Sequence, residues 1–141
     1  MKLFRADLHI HTVLSPCGSL EMSPRRIVDE AIAKGLDIIA ITDHNSTRQC
    51  RAVIEAGKEK GVLVIGGAEI NTREEVHCVT LFEDTEKLDR FQEYIDRYLP
   101  DIPNNPDKFG YQVWVNGNED IEGEEPRLLL SGLDQSIDEV E

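Results

Sequence analysis

Apolar and polar residues alternate over residues 3–10 in the manner of a strand, and Ser15-Pro16-Cys17-Gly18-Ser19 reads as the loop after it. Ser23-Pro24 has the form of a helix start, with Ser23 as N-cap and Pro24 in the first helical position. Ile27, Ala31 and Ile32 then recur at helical spacing up to a stop at Lys34-Gly35. The unbroken apolar run Ile38-Ile39-Ala40-Ile41 suits a strand buried on both faces, as parallel sheets require, and it ends at Asp43-His44-Asn45. Ser46 or Thr47 is placed to cap a second helix running to about Lys60 and ended by Gly61, and residues 62–65 form a third apolar strand leading into Gly66-Gly67-Ala68-Glu69. Strand, helix, strand, helix, strand is the α/β signature of parallel βα units.

Residues 75–82 read as a fourth strand, and residues 85–99 as a helix with Leu88, Phe91, Ile95 and Leu99 on one side. After Pro100 the pattern changes to a proline- and asparagine-rich stretch. A strand candidate follows at residues 111–115, then the hairpin signal Asn116-Gly117, and Ser136 is placed to cap one more helix. Leu128-Leu129-Leu130 fits no single pattern. The expectation is one domain, regular over residues 1–99 and extended by an irregular acidic stretch over residues 100–141.

Composition narrows the function. With 40% hydrophobic and 30% charged residues the chain is an ordinary globular sequence. Its formal net charge of -13 excludes the basic face that a long nucleic acid needs, and the acidity gathers in residues 119–141. A small anionic substrate remains compatible if bound cations supply a local positive centre. Three cysteines at irregular spacing, with no signal-peptide pattern, predict a reduced, cytoplasmic setting. No apolar run approaches the roughly 20 residues of a membrane span.

The chemistry concentrates in Asp7-Leu8-His9-Ile10-His11-Thr12. Alternation along a strand puts Asp7, His9 and His11 on one face, so that two imidazoles converge at the strand's C-terminal end, where parallel α/β folds keep their ligand sites. Neutral imidazole binds Zn, Mn or Fe, and a neighbouring carboxylate such as Asp7 can orient it. His44 closes the second strand and Glu69 ends the third, where a carboxylate could bridge two metals. His77 lies in the fourth strand on one face with Val79, either as a further ligand or as an ordinary strand histidine.

Asp7-Leu8-His9-Ile10-His11-Thr12, Ile41-Thr42-Asp43-His44, Gly67-Ala68-Glu69-Ile70 and Glu75-Val76-His77 together resemble the first motifs of the PHP family, named for polymerase and histidinol phosphatase domains. That resemblance implies a distorted seven-stranded, TIM-like βα barrel. It also implies two or three divalent metals (Zn, Mn or Fe, with Mg as a further choice) and hydrolysis of phosphomonoesters or phosphodiesters. By the same resemblance His9 and His11 bind one metal, Glu69 bridges, His44 binds a second metal and His77 a third, while Asp43 orients rather than coordinates.

Two departures from the family pattern stand out. Position 17 usually holds Asp or His as a ligand; here it is Cys17, either a thiolate ligand or an inert loop cysteine. No histidine follows His77, whereas the family places further ligands downstream. The chain therefore reads as a shortened family member that a missing C-terminal segment or a partner chain would complete.

The expected function is a metal-dependent phosphoesterase with His9, His11, His44 and Glu69 as its working residues and a small phosphorylated molecule as substrate. The sequence has no Gly-rich phosphate cradle, so the metals must neutralise the phosphate, assisted by Arg48 and Arg73 as candidate phosphate contacts in the loops after His44 and Glu69. The alternatives are a degenerate metal-binding regulatory module without turnover and, with less support, a nuclease acting on a short oligonucleotide end. A cysteine-nucleophile phosphatase lacks the run of backbone donors closed by arginine that it needs.

Overall fold

The computed structural model describes residues 1–140. Its main sheet has the order β1 (Ala6–Ile10), β2 (Ile38–Ile41), β3 (Leu63–Asn71) and β4 (His77–Phe82). β1, β2 and β3 are parallel, joined through α1 (Pro24–Ala33) and α2 (Cys50–Lys60), as the alternation of strands and helices predicts. β4 returns antiparallel to β3. The connection is residues 72–76, far too short for a parallel crossover, which needs a dozen residues or more.

The helices cover one face of the sheet. Ile27, Val28 and Ala31 of α1 and Val53 and Ala56 of α2 bury Ile39, Ile41 and Val64 beneath them. A second cluster joins α3 (Thr85–Tyr98) to the far half of β3 through Ile95, Leu99, Ala68 and Ile70. Leu129 and Leu133 belong to the same cluster and are 1% exposed, so the stretch after residue 99 contributes to the core that the βα part builds. That stretch also holds a short helix α4 (Pro106–Phe109) and a hairpin of β5 (Val113–Val115) and β6 (Ile121–Glu124) turning at Asn116-Gly117. A 3-10 turn at Ile137–Glu139 carries a capping box on Ser136.

Several local features differ from the sequence reading. α2 starts at Cys50, because the Ser46 and Thr47 hydroxyls are engaged with Gln92 at 3.3 and 3.1 Å rather than with a helix end. Ser23 does precede α1, yet its hydroxyl donates to Glu119 Oε1 at 2.5 Å and leaves the helix end without a side-chain cap. β3 runs straight through Gly66 and Gly67 to Asn71. A Cβ on Gly66 would stand 2.4 Å from Leu88 Cδ1, and one on Gly67 would stand 2.0 Å from the Thr80 carbonyl oxygen, so glycine lets α3 and β4 close on this strand.

Among the described residues the strands form this four-stranded sheet and the two-stranded hairpin. β1 and β4 are the sheet's outer strands. On the face opposite the helices, Leu63, Val79 and Leu81 are 58%, 44% and 40% exposed. Among the described residues no helix is long and apolar enough to cross a membrane.

Candidate metal centre

Backbone pairing assembles the site. His44, just beyond β2, forms an isolated parallel bridge with Glu69, fixed by Glu69 N–H to the Asp43 carbonyl at 3.0 Å and Asn45 N–H to the Glu69 carbonyl at 2.9 Å. Asn45 adopts φ 42°, which short polar residues tolerate best, and so turns the chain out of the sheet. The β3–β4 ladder sets Asn71 opposite His77 and Val79 opposite Glu69, so His77 and Glu69 are diagonal neighbours on one face.

On β1 a bulge changes the alternation. Asp7 pairs with Ile39 but Ile10 with Ile41, a step of three residues against two. Asp7 therefore shares the helix-side face with Ile10, lining a cavity of about 400 Å³ with Met22 and Ile27. Its Oδ1 accepts the His9 backbone N–H at 3.2 Å and orients no imidazole ring. His9 and His11 face the other way, towards Glu69.

Four imidazoles converge on that carboxylate. His9 Nε2 and His11 Nε2 are 2.9 Å apart and each lies 3.1 Å from Glu69 Oε2, while His77 Nδ1 is 2.9 Å from Oε1 and His44 Nδ1 is 3.5 Å from Oε2. Donors bound to one tetrahedral zinc at about 2.0–2.1 Å stand roughly 3.3 Å apart, so the His9–His11–Glu69 triangle has the dimensions of one coordination face. His44 Nδ1 is buried and has no hydrogen-bond partner, which is costly unless something binds it. Three donor sets lie with all their ligand atoms within 4.8 Å of one another: His9, His11 and Glu69; His44, Glu69 and His77; and His11, Cys17 and His44. The residues present fit divalent cations.

The protonation states suit that use. Burial, reinforced by the neighbouring His11, pushes His44 down to about 4 and keeps its ring neutral. Burial likewise lowers His11, against the fields of Asp43 and Glu69. Burial raises Glu69, but hydrogen bonds from His77 and His9 outweigh it and hold the carboxyl below its ordinary value. Burial, aided by the charges of Asp43 and Glu69, raises the Cys17 thiol; a bound cation would reverse that.

Asp43 touches no imidazole directly. Fully buried, it accepts Thr12 N–H and Thr12 Oγ1–H at 2.7 Å each, and Ser15 Oγ–H at 2.7 Å. Burial raises its pKa, opposed by these three hydrogen bonds. Ser15, its one proton spent on Asp43, accepts from His11 Nδ1 at 3.1 Å and from the His44 backbone N–H at 3.1 Å. His11 thus carries its proton on Nδ1 and turns the Nε2 lone pair to the cluster. Sequence reading missed Ser15 and Thr12; their hydroxyls beside the His-x-His strand end were the available signal.

Arg48 and Arg73 are paired away from the imidazoles. Arg48 forms a fork on Asp96 at 2.8 and 3.0 Å and stacks 5.0 Å from the Trp114 ring centroid. Arg73 reaches Asp134 Oδ1 at 3.1 Å and Glu139 Oε2 at 3.4 Å, tying the C-terminal stretch to the β3–β4 turn. Neither contacts the imidazoles, because a carboxylate of a packing element claims each guanidinium.

The family model for the PHP domain matches residues 7–134. An uncharacterized protein of Methanocaldococcus jannaschii is 42% identical over 93 residues, covering 59% of this chain and 54% of the relative. The phosphoribosyl 1,2-cyclic phosphate 1,2-diphosphodiesterase of Eggerthella lenta is 34% identical over 65 residues, covering 46% of this chain and 24% of that protein. The crystal structure of a candidate metal-dependent phosphoesterase from Bifidobacterium adolescentis superposes with a TM-score of 0.55 at 29% identity, over 69% of this chain and 34% of that one. The chain thus spans about half the length of the first relative and about a third of the solved structure.

Proposed function

Because the chain belongs to the PHP domain family, we propose that its histidine and carboxylate cluster serves a metal-dependent phosphoesterase, which hydrolyses a small phosphomonoester or phosphodiester with metal-activated water. The observation that carries this reading is the division of labour on Glu69. Oε2 faces His9, His11 and, at 3.5 Å, His44, while Oε1 faces His77, so both carboxylate oxygens are turned to imidazoles, as in a carboxylate shared by two cations. Cations held there would lower the pKa of a bound water toward about 7 and neutralise phosphoryl oxygens. The chain's own residues hold and orient: His9, His11 and Glu69 would grip one ion, His44, His77 and Glu69 a second. Ser15 and Asp43 keep the His11 proton on the far side of its ring.

An imidazole-rich donor set suits Zn, Mn or Fe better than Mg. The net charge of -13 favours a small substrate over a long nucleic acid. The sheet's two outer edges and bare apolar face favour completion to a seven-stranded barrel by further chain or by a partner. Three unpaired cysteines fit a reducing, cytoplasmic setting.

A second reading, a metal-binding regulatory module without turnover, draws on Arg48 and Arg73, whose guanidinium groups pair with carboxylates away from the imidazole cluster. Metal analysis combined with hydrolysis assays on a panel of small phosphate mono- and diesters separates the two. Chelator-sensitive turnover that Glu69→Gln abolishes is the expected result. Tightly bound metal with no hydrolysis of any ester would overturn the enzyme and leave the module.

A further inference from the structure

We infer that the β5–β6 hairpin is a strap beside the histidine cluster: its root is fixed to the loop after β2, and its tip is a releasable latch that holds the loop after β1 closed against the cluster. What the strap guards rests on the reading above; the latch itself does not. The root is held at Gln49, which lies in the loop after β2 and is fully buried. Its Nε2 donates to the Val115 carbonyl at 2.7 Å, and its Oε1 accepts the Val115 N–H at 2.9 Å. Trp114 beside it lies between the Arg48 guanidinium and Gly123, where a Cβ would stand 2.1 Å from the ring.

The tip, residues 116–120, is braced internally. Asn116 Oδ1 accepts the N–H groups of Asn118 and Asp120 at 2.8 and 3.1 Å, and Glu119 N–H donates to the Asn116 carbonyl at 3.0 Å. Among the described residues two hydrogen bonds leave the tip, both to the start of α1: Ser23 Oγ–H donates to Glu119 Oε1 and Arg25 Nε–H to the Gly117 carbonyl, each at 2.5 Å. Glu119 has φ 68°, a conformation that glycine or asparagine holds at lower cost. Its carboxylate accounts for a glutamate there. α1 has no acidic residue in its first turn, and Glu119 brings a negative charge across 96 positions to that helix end, where the helix dipole favours it.

Ser23 follows directly on the neck of the loop after β1. Val13 N–H to the Met22 carbonyl at 3.0 Å closes that neck, and inside the loop Ser15 Oγ meets His11 Nδ1 and the His44 backbone N–H at 3.1 Å each. Two bonds made by the exposed side chains of Glu119 and Arg25 are therefore the weak link between a buried root and this loop. When they part, the tip leaves α1 as one body and the neck loses its brace. Ser15 then moves off His44, which is 7% exposed in the latched form. Opening admits solutes to a buried imidazole while the root and the core stay folded.

The test uses the full chain in chelator, with Glu119→Gly and Arg25→Ala as separate variants. Hydrogen–deuterium exchange over residues 13–22 should be faster by about tenfold in either variant, the lower end of what a hydrogen bond to a charged group is worth. Labelling of His44 by diethyl pyrocarbonate should rise by a similar factor. Labelling of His9, which is exposed already, and exchange over α2 and β3 should keep the parent rates. Asn118→Ala, at the same tip but with no side-chain bond to α1, should behave as the parent. Unchanged loop exchange, faster loop exchange without faster His44 labelling, or an equal rise across α2 and β3 would overturn the strap. Failure of the hydrolase reading looks different: both latch variants respond as stated, and the metal-loaded parent turns over no phosphate ester.

Discussion

Ser15 Oγ stands between Asp43 and His11, donating to Asp43 Oδ1 at 2.7 Å and accepting from His11 Nδ1 at 3.1 Å. One hydroxyl therefore sets the direction of a lone pair that faces the Glu69 cluster. Ser15→Ala leaves a buried carboxylate short of a donor, and stability should fall by about 1–3 kcal/mol in denaturant titrations. Metal affinity should fall about 10–100-fold, as for other partners of ligand imidazoles. Unchanged affinity by calorimetry would remove Ser15 from the site.

Gly67 carries the close approach of β3 and β4. Gly67→Ala puts a methyl group 2.0 Å from the Thr80 carbonyl oxygen and should cost about 1–3 kcal/mol, with weaker metal binding because Glu69 and His77 lie on that same ladder. Gly117→Ala, where a Cβ meets nothing within 4 Å, should leave the thermal midpoint in place. Equal behaviour of the two variants would contradict the strand spacing.

Arg48 holds α3 through Asp96 and stacks on Trp114. Its replacement by alanine should lower stability by about 1 kcal/mol or less, since the ion pair is partly solvated. KM for any phosphate ester turned over should stay the same. A raised KM at unchanged stability would restore Arg48 as a phosphate contact.

Acidification should destabilise the metal-free protein. His44 is depressed in the folded state from 6.5 to about 4, so below 6.5 the unfolded chain takes up a proton that the fold refuses. Stability is full above that value, declines between 6.5 and about 4, and the loss from this group amounts to at most about 3 kcal/mol. Glu69, lowered on folding, loses its contribution in the same direction as pH falls through the acidic range. The thermal midpoint in chelator, followed from pH 7 to pH 4, checks this; a flat profile over that window would refute it.

The strand ends that carry His11 and His44 were legible because the alternation over residues 3–10 and the apolar run Ile38-Ile39-Ala40-Ile41 each give way to polar residues. Gly61 ended α2 as read, in the left-handed conformation at φ 79°. Less visible was the β1 bulge that turns Asp7 away, since a change of register depends on the partner strand and not on the local pattern. The antiparallel return of β4 was within reach: five residues between Glu69's strand and His77's cannot hold a crossover helix. Its turn is hidden in composition, however, because the residue with positive φ is Glu75 at 62° rather than glycine or asparagine. The partners of the arginines were hidden for a different reason. A loop position says where a Cα lies, while a long side chain goes to whichever carboxylate tertiary packing supplies, here Asp96 or Asp134.

Asn45 has a consequence for how the chain can be cut. Its amide donates to the Leu129 and Ser131 carbonyls at 2.8 and 2.7 Å and accepts from Asn71 N–H at 3.1 Å, while Leu133 N–H returns to the Asn71 carbonyl at 2.8 Å. The residue next to an imidazole of the Glu69 cluster is thus moored to chain that lies more than eighty positions downstream. A proteolytic nick in that mooring would strip buried amides of their acceptors, so resistance to protease there and retention of metal should rise and fall together.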